Sequence, residues 1–259
     1  MKRYGGTLVY SSRDAEGILE VVDAQGVRSL HFGTSPRQSA MALDDPNRLE
    51  LSYIRAMLSA LLFVDTPQNI LLFGLGGGSL ARFMFHQFPQ SKIDAVERRR
   101  SVVDVAHEYF SLPKDPRLTV HIAEATEHAQ KAVSNLAHYY DLVLIDAYDH
   151  QGMDRTINAE EFFRNCAGLL QPRGVMSINL WGTHSVSLRH SIELINLCFP
   201  KHAYRLQVPN KGNIVGLGLS TDLVVRHPLD HLQPRALQLE IELGLEMRYF
   251  LKSLRLLKS

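Results

Sequence analysis

The sequence predicts an α/β chain: an open, mostly parallel sheet with helices on both faces, preceded by a small antiparallel β domain. Three observations carry this prediction. Short apolar strand candidates alternate with helical segments from about residue 68 to 220. Two of these candidates, Asn69 to Phe73 and Leu142 to Ile145, are near-continuous apolar runs, as expected of strands covered on both faces. Upstream of residue 65, β-formers alternate only partially and turn signals interrupt them.

The elements follow in order. Gly6 to Ser12, Gly17 to Asp23 and Val27 to Phe32 read as strands, with Asp23-Ala24-Gln25-Gly26 as a turn between the last two. Asp45-Pro46 predicts a helix start, a carboxylate cap followed by proline at the first helical position. Leu51, Ile54, Leu58 and Leu61 recur behind it at helical spacing, and Thr66-Pro67 is a short hinge. Further strands are expected at Lys92 to Val96, Leu118 to Ile122 and Gly174 to Leu180. Asn158 with Glu161 predicts a capping box, and Pro172-Arg173-Gly174 a helix stop. After a helix near Val186 to Phe199, His202 to Val208 and Ile214 to Leu219 flank Pro209-Asn210-Lys211-Gly212-Asn213, a hairpin. The end of the chain reads as helical, with Leu237, Ile241, Leu245 and Tyr249 every four residues and Leu239, Leu243 and Leu254 widening the apolar face. That face packs on the main domain or on a second copy, as in a homodimer. The expected division is 1–65, 66–225 and 226–259.

Composition narrows the function. The 259 residues carry 28 Lys+Arg against 27 Asp+Glu, a balance that argues against a dedicated nucleic-acid binder. The first residues lack the apolar run of a signal peptide, and no segment holds the ~18 apolar residues of a membrane span. Cys166 and Cys198 read as reduced packing residues, so the expected location is cytoplasmic, without membrane partners. His227 and His231 have i, i+4 spacing, but no neighbouring ligand completes a metal site. His107-Glu108 lacks the second histidine of H-E-x-x-H, and no G-x-S-x-G elbow is present. Arg98-Arg99-Arg100 reads as a solvated helix start.

The chemistry concentrates at the carboxyl ends of the strands, where open α/β sheets bind ligands. Gly74-Leu75-Gly76-Gly77-Gly78-Ser79 follows the first apolar strand and opens a helix. Its glycines admit a ligand close to the backbone, and the helix start offers free amides. Taken alone the run fits a tight strand–helix turn equally. Glu97 closes the next strand, where a carboxylate can accept both ribose hydroxyls; the competing reading is a solvated strand end. Arg82-Phe83 stands where a dinucleotide fingerprint wants a small residue, so the G-x-G-x-G spacing is more like S-adenosylmethionine binders. Glu124 starts a helix after the third strand, placed either for an adenine edge or for the helix dipole. Asp146 and Asp149, with Tyr148 between them, follow the fourth strand. One can take a proton from an attacking amine while the other holds a cationic substrate; the alternative is a loop cap beside a solvated acid. Trp181 is either a wall of an acceptor pocket or core.

These motifs together resemble the spermidine synthase (polyamine aminopropyltransferase) family, and within it a bacterial spermidine-synthase-like branch. Leu30-His-Phe-Gly33 through Gln38 is similar to the family's L-D-G-x-x-Q, whose glutamine contacts the nucleoside. Gly74 to Ser79 stands for G-G-G-D-G-G, Val96-Glu97 for the start of V-E-I-D, and Ala123-Glu124-Ala125 for G-D-A. Asp146-Ala-Tyr-Asp149 resembles D-S-S-D, and Asn179-Leu-Trp-Gly182 and Gly212-Asn213 resemble the branch. The resemblance implies a Rossmann-like, seven-stranded methyltransferase-type sheet whose last two strands form an antiparallel hairpin. It implies Gln38, Gly74, Gly76, Gly78, Glu97 and Glu124 for the nucleoside, Asp146 as base, and Asp149 and Tyr148 as acceptor contacts. The co-substrate it implies is decarboxylated S-adenosylmethionine or S-adenosylmethionine, with no metal, and the implied acceptor is a small amine. Two positions depart: Gly77 replaces the acid that grips the donor's amine, and Arg55, in Tyr53-Ile54-Arg55, replaces the glutamate that holds the polyamine. Both departures count against putrescine. The competing expectations are a methyltransferase on the same fold and a nucleoside-binding protein without turnover.

Overall fold

A computed structural model describes residues 2–149, 152–153, 157–181, 185–220 and 229–257, without the side chains of Tyr148, Asp149, Gly152, Met153, Ser185 and Asp230. The N-terminal sheet is a meander of β1 (Lys2–Arg3), β2 (Gly6–Asp14), β3 (Gly17–Ala24), β4 (Val27–His31) and β5 (Ser39–Ala42). Gln25 and Gly26 turn β3 into β4 with φ of 53° and 76°, as the turn signal predicts. β5 shows no alternation in the sequence, because all four of its residues are buried.

The helix expected from Asp45-Pro46 starts later. Asp45 accepts a hydrogen bond from the Asn47 amide at 3.1 Å, closing a local turn, and Leu49 bridges to Met41. Only then does α1 (Ser52–Met57) begin, running into a 3₁₀ segment at Leu58–Leu62.

The main sheet is built from β6 (Asn69–Phe73), β7 (Lys92–Glu97), β8 (Leu118–Ile122), β9 (Tyr140–Ile145), β12 (Leu170–Trp181), β13 (Ala203–Gln207), β14 (Asn213–Leu219) and β15 (Arg255–Leu256); the two-residue strands β10 (Tyr148–Asp149) and β11 (Gly152–Met153) pair separately. Its order is β15-β13-β14-β12-β9-β6-β7-β8. The five strands from β12 to β8 are parallel, and β14 runs antiparallel between β12 and β13. The seven expected strands are thus present, and β15 adds a short eighth at the edge of β13.

Helices α2 (Ser79–Gln87), α3 (Arg100–Tyr109), α4 (Ala125–Asn135), α5 (Glu160–Leu169), α6 (Ser185–Cys198), α7 (Gln233–Leu243) and α8 (Met247–Ser253) complete the chain. Alternate strand residues feed two cores. Ile70, Leu72, Leu142 and Leu144 face one side of the sheet, and Leu71, Phe73, Val143 and Ile145 the other.

Three further expectations are corrected. Asn158 does not cap α5: it accepts from the Ser191 hydroxyl at 2.7 Å and donates to Ser187 at 3.2 Å, tying the start of α5 to α6. The chain end packs on the main sheet through Ala236, Leu239, Leu245, Met247, Phe250 and Leu251. Of the expected stripe, Leu237 and Ile241 are exposed because α7 packs through Ala236 and Leu239 on another face; Gly244 then ends α7 in the left-handed region and breaks the four-residue period, so Leu245 is buried and Tyr249 exposed. Arg99 is buried rather than solvated: it pairs with Asp14 at 2.9 Å and lies over the Phe32 ring, joining α3 to the N-terminal sheet.

Among the described residues no helix is long and apolar enough to cross a membrane. No group of three or more His, Cys, Asp or Glu among them stands ready to hold a metal ion, and His227 lies outside the described residues. Cys166 and Cys198 are free thiols.

Candidate active site

A cavity of about 520 Å³ opens at the carboxyl edge of the parallel strands, beneath the N-terminal sheet. That is within the size range of small-molecule pockets. Its lining includes Gln38, Gly74, Gly76, Glu97, Glu124 and Asp146 from the sequence reading.

At one end lies the glycine turn. Gly74 has φ +90°, and a Cβ there would stand 2.2 Å from the Asp146 carbonyl oxygen, so only glycine lets β6 and β9 end this close. Gly76, with φ +53°, continues the turn. Glu97 ends β7 half-buried; Oε2 accepts the Leu75 amide at 3.2 Å and Oε1 the Arg99 amide at 3.0 Å. Burial pushes its carboxyl up, opposed by the amides of Arg99, Leu75 and Gly76 and by the charge of Arg98. Glu124 occupies the position before α4 and lines the same end. Gln38 is held by its own amide, which donates to Leu30 at 2.9 Å.

Gly78 does not line the cavity. It is the left-handed residue that starts α2, and a Cβ on it would meet Leu112 at 2.7 Å. Gly77 is walled off as well: a Cβ would stand 2.8 Å from Ser39 Oγ and 2.9 Å from Phe110. The bulk of Arg82, unexpected in a tight turn, has a use. The side chain is 1 % exposed and donates to the carbonyls of Pro46, Gly77 and Phe110 at 2.6, 3.3 and 2.6 Å. Burial lowers its pKa to about 10, against the charge of Asp45, which raises it.

At the other end, Asp146 follows β9. Asn179 Nδ2 donates to Oδ1 at 2.9 Å and the Tyr53 hydroxyl to Oδ2 at 3.2 Å. Burial raises the Asp146 carboxyl above the ordinary carboxylate range, and those two donors oppose the shift. Asn213 Nδ2 donates to Asn179 Oδ1 at 2.9 Å. Trp181, 53 % exposed, lines this end with Leu180 and Leu188, so it is not core. The side chains of Tyr148 and Asp149 and the whole of Gly182 lie outside the described residues.

Arg55 is turned away from the cavity. Its guanidinium pairs with Glu246 at 3.2 Å and donates to the carbonyl of Leu49 at 2.9 Å. The helical step from Tyr53 to Arg55 puts the two on different faces. The repulsion of a cationic acceptor expected from this arginine therefore has no basis in the site.

Strand order, glycine turn and the acids at successive strand ends define a Rossmann-like, methyltransferase-type fold with a ligand cleft at its carboxyl edge. A model of the spermine/spermidine synthase domain matches residues 50–198. A polyamine aminopropyltransferase of Chromobacterium violaceum is 33% identical over 237 residues, 92% of this chain and 89% of that protein. This chain belongs to the spermine/spermidine synthase domain family. In three dimensions it resembles a probable spermidine synthase from Corynebacterium glutamicum (TM-score 0.71, 20% identity, 90% of this chain and 87% of that one). It also resembles human methyltransferase-like protein 13 in complex with SAH (TM-score 0.63, 23% identity, 81% and 96%). At these identities the two structures bear on the fold.

Tyr53, Asn179 and Asn213 belong to the site, yet the sequence assigns them no role toward Asp146. All three stood inside motifs that the resemblance quotes, Tyr53-Ile54-Arg55, Asn179-Leu-Trp-Gly182 and Gly212-Asn213, which were the available signal.

Proposed function

We propose that this chain transfers an aminopropyl group from decarboxylated S-adenosylmethionine to an amine acceptor. The observation that carries the reading is Asp146: a half-buried carboxylate with a raised pKa, held by Tyr53 and Asn179, in a cavity whose other end is the glycine turn and Glu97. Family membership and the polyamine aminopropyltransferase relatives support it.

In this reading Gly74, Gly76, Gln38, Glu97 and Glu124 hold the nucleoside, and Glu97 accepts the ribose hydroxyls with the lone pairs its amides leave. Gly78 shapes the turn from behind. The neutral acceptor nitrogen attacks the methylene bonded to sulfur. The C–N bond forms, the C–S bond breaks with its electron pair going to sulfur, and the neutral thioether methylthioadenosine leaves. The proton released from the new ammonium passes to Asp146. A carboxylate with a raised pKa is the stronger acceptor, which is what burial provides. The same reading assigns acceptor contact to Asp149 and Tyr148. Gly77 leaves the glycine turn without an acid for the donor's amine, so donor binding rests more on the nucleoside contacts. Putrescine turnover is accordingly expected to be slow because of Gly77; Arg55, turned toward Glu246, contributes nothing to that expectation.

The test is product analysis of the purified protein with each sulfonium donor and a panel of di- and monoamines. Methylthioadenosine and an aminopropylated amine in equal amounts are expected from the decarboxylated donor. S-adenosylhomocysteine from S-adenosylmethionine, with no methylthioadenosine, would replace this reading by methyl transfer. Tight nucleoside binding without either product would leave a binding protein.

A further inference from the structure

Asn213 opens β14, the strand that reverses direction and inserts beside β12. That reversal brings the start of β14 to the same edge as the ends of the parallel strands. Asn213 pairs with Trp181, so Asn179, two residues before Trp181, is its diagonal neighbour on one face of the sheet. Asn213 is 3 % exposed and Asn179 4 %.

We propose that Asn213 is a positioning residue for Asp146, acting through the Asn179 amide. This rests on the reading of Asp146 as proton acceptor. An ionised carboxylate only accepts hydrogen bonds, so Asn179 must turn its NH₂ toward Asp146. Its oxygen then faces Asn213, which must present NH₂ in turn. The donors run one way, Asn213 to Asn179 to Asp146, each step at 2.9 Å. The Asn213 donor can be accepted only by the Asn179 oxygen, so it holds that oxygen away from Asp146, where it would repel the anion. Asn213 thus selects the amide orientation that keeps Asp146 ionised.

The titratable and charged groups around this line are known among the described residues. Tyr53 hydrogen-bonds Asp146 from α1. Glu16, Arg37, Glu97, Arg98, Arg99 and Glu124 line the cavity elsewhere. The test variants are therefore neutral, so that none of these fields changes.

Asn213→Leu fills the site and Asn213→Ala opens it; either serves if the other folds poorly. Three quantities are read on the full chain: kcat for aminopropyl transfer, the Kd of methylthioadenosine by calorimetry, and the titration of the Asp146 carboxyl by ¹³C NMR, assigned with Asp146→Asn. The expected result is kcat down by up to about tenfold, the worth of one hydrogen bond between neutral groups. Kd stays within about twofold, since the nucleoside contacts are untouched, and the Asp146 midpoint moves to higher pH. In an Asn179→Ala background the same substitution adds no further loss. An unmoved midpoint, or a full additional loss in that background, overturns the proposal. If the midpoint moves while the wild type transfers no aminopropyl group, the reading of the activity falls and the positioning role stands. If Asp146→Asn keeps full turnover, Asp146 is not the proton acceptor, whatever Asn213 does to its titration.

Discussion

At one end of the cavity, Glu97 is held by an amide two residues away and by another 22 residues away, within the one turn–helix–strand unit of the glycine turn, α2 and β7. At the other end, Asp146 is held by side chains 93 and 33 residues distant, on α1 and β12. The first arrangement uses backbone and needs only glycines and one acid in sequence. The second uses side chains and needs three separate segments to meet. An amide-built site is hard to lose by substitution and easy to read. A side-chain-built site can be retuned one residue at a time, which suits the end of a transferase that selects its acceptor.

The comparison breaks most completely at Gly74, where the two ends touch. Gly74→Ala would force a Cβ to within 2.2 Å of the Asp146 carbonyl at a φ of +90°. A loss on the order of 4 kcal/mol or more is expected, because backbone cannot give way as a side chain can. Denaturant unfolding measures it; a wild-type midpoint would mean that the strand ends separate freely.

Asp146→Asn isolates the proton-accepting end. A positioned general base contributes about 10²–10⁴-fold, so kcat should fall by that factor while methylthioadenosine affinity holds. The folded Asp146 pKa is raised, so the native state binds its proton up to a higher pH than the unfolded chain. Stability therefore falls as pH rises from the unfolded to the folded pKa, so the carboxyl costs stability above that window. The asparagine variant should accordingly unfold at pH 7 no earlier than wild type, whereas at low pH the advantage vanishes. A lowered melting temperature at pH 7 would assign Asp146 a structural role.

Glu97→Ala probes the opposite end and should reverse the pattern. Affinity for methylthioadenosine is expected to drop by about 1–3 kcal/mol, the worth of hydrogen bonds to a charged group. Unchanged affinity in calorimetry, with the fold intact, removes Glu97 from the nucleoside site.

Tyr53→Phe sharpens the comparison at smaller scale. It deletes one donor to Asp146, worth about 0.5–1.5 kcal/mol, and should slow turnover by up to about tenfold. That donor opposes the rise in the Asp146 pKa, so its loss moves the acid limb of the pH–rate profile to higher pH. A limb that moves to lower pH would contradict the assignment of Asp146 as base. The smallest effect belongs to Arg55→Ala, which removes a pair with Glu246 outside the cavity. Acceptor KM should stay within about twofold, and a marked fall in KM for a diamine would show that the arginine does repel the acceptor.

Much of this molecule is written in short stretches of sequence. Asn69–Phe73 and Leu118–Ile122 form strands with the limits that their apolar runs and turns imply. The same locality makes the glycine turn, Glu97 and Asp146 readable, since each is defined by where a strand stops. The chain end shows the opposite case. Leu237, Ile241, Leu245 and Tyr249 share a period, but α7 packs through Ala236 and Leu239, and Gly244 breaks the period so that of the four only Leu245 is buried. Periodicity reports a face and says nothing about what lies opposite it.

By itself the sequence determined the strand order's raw material, the turn that needs glycine and the acids at strand ends, because each depends on residues within one turn or one strand of each other. Tertiary structure decided the rest. It turned Arg55 toward Glu246, buried Arg82 among three carbonyls, and brought Tyr53, Asn179 and Asn213 into one line with Asp146. Those outcomes depend on which way a side chain leaves its element and on which strand inserts beside which. Both are set by packing between segments far apart in the chain.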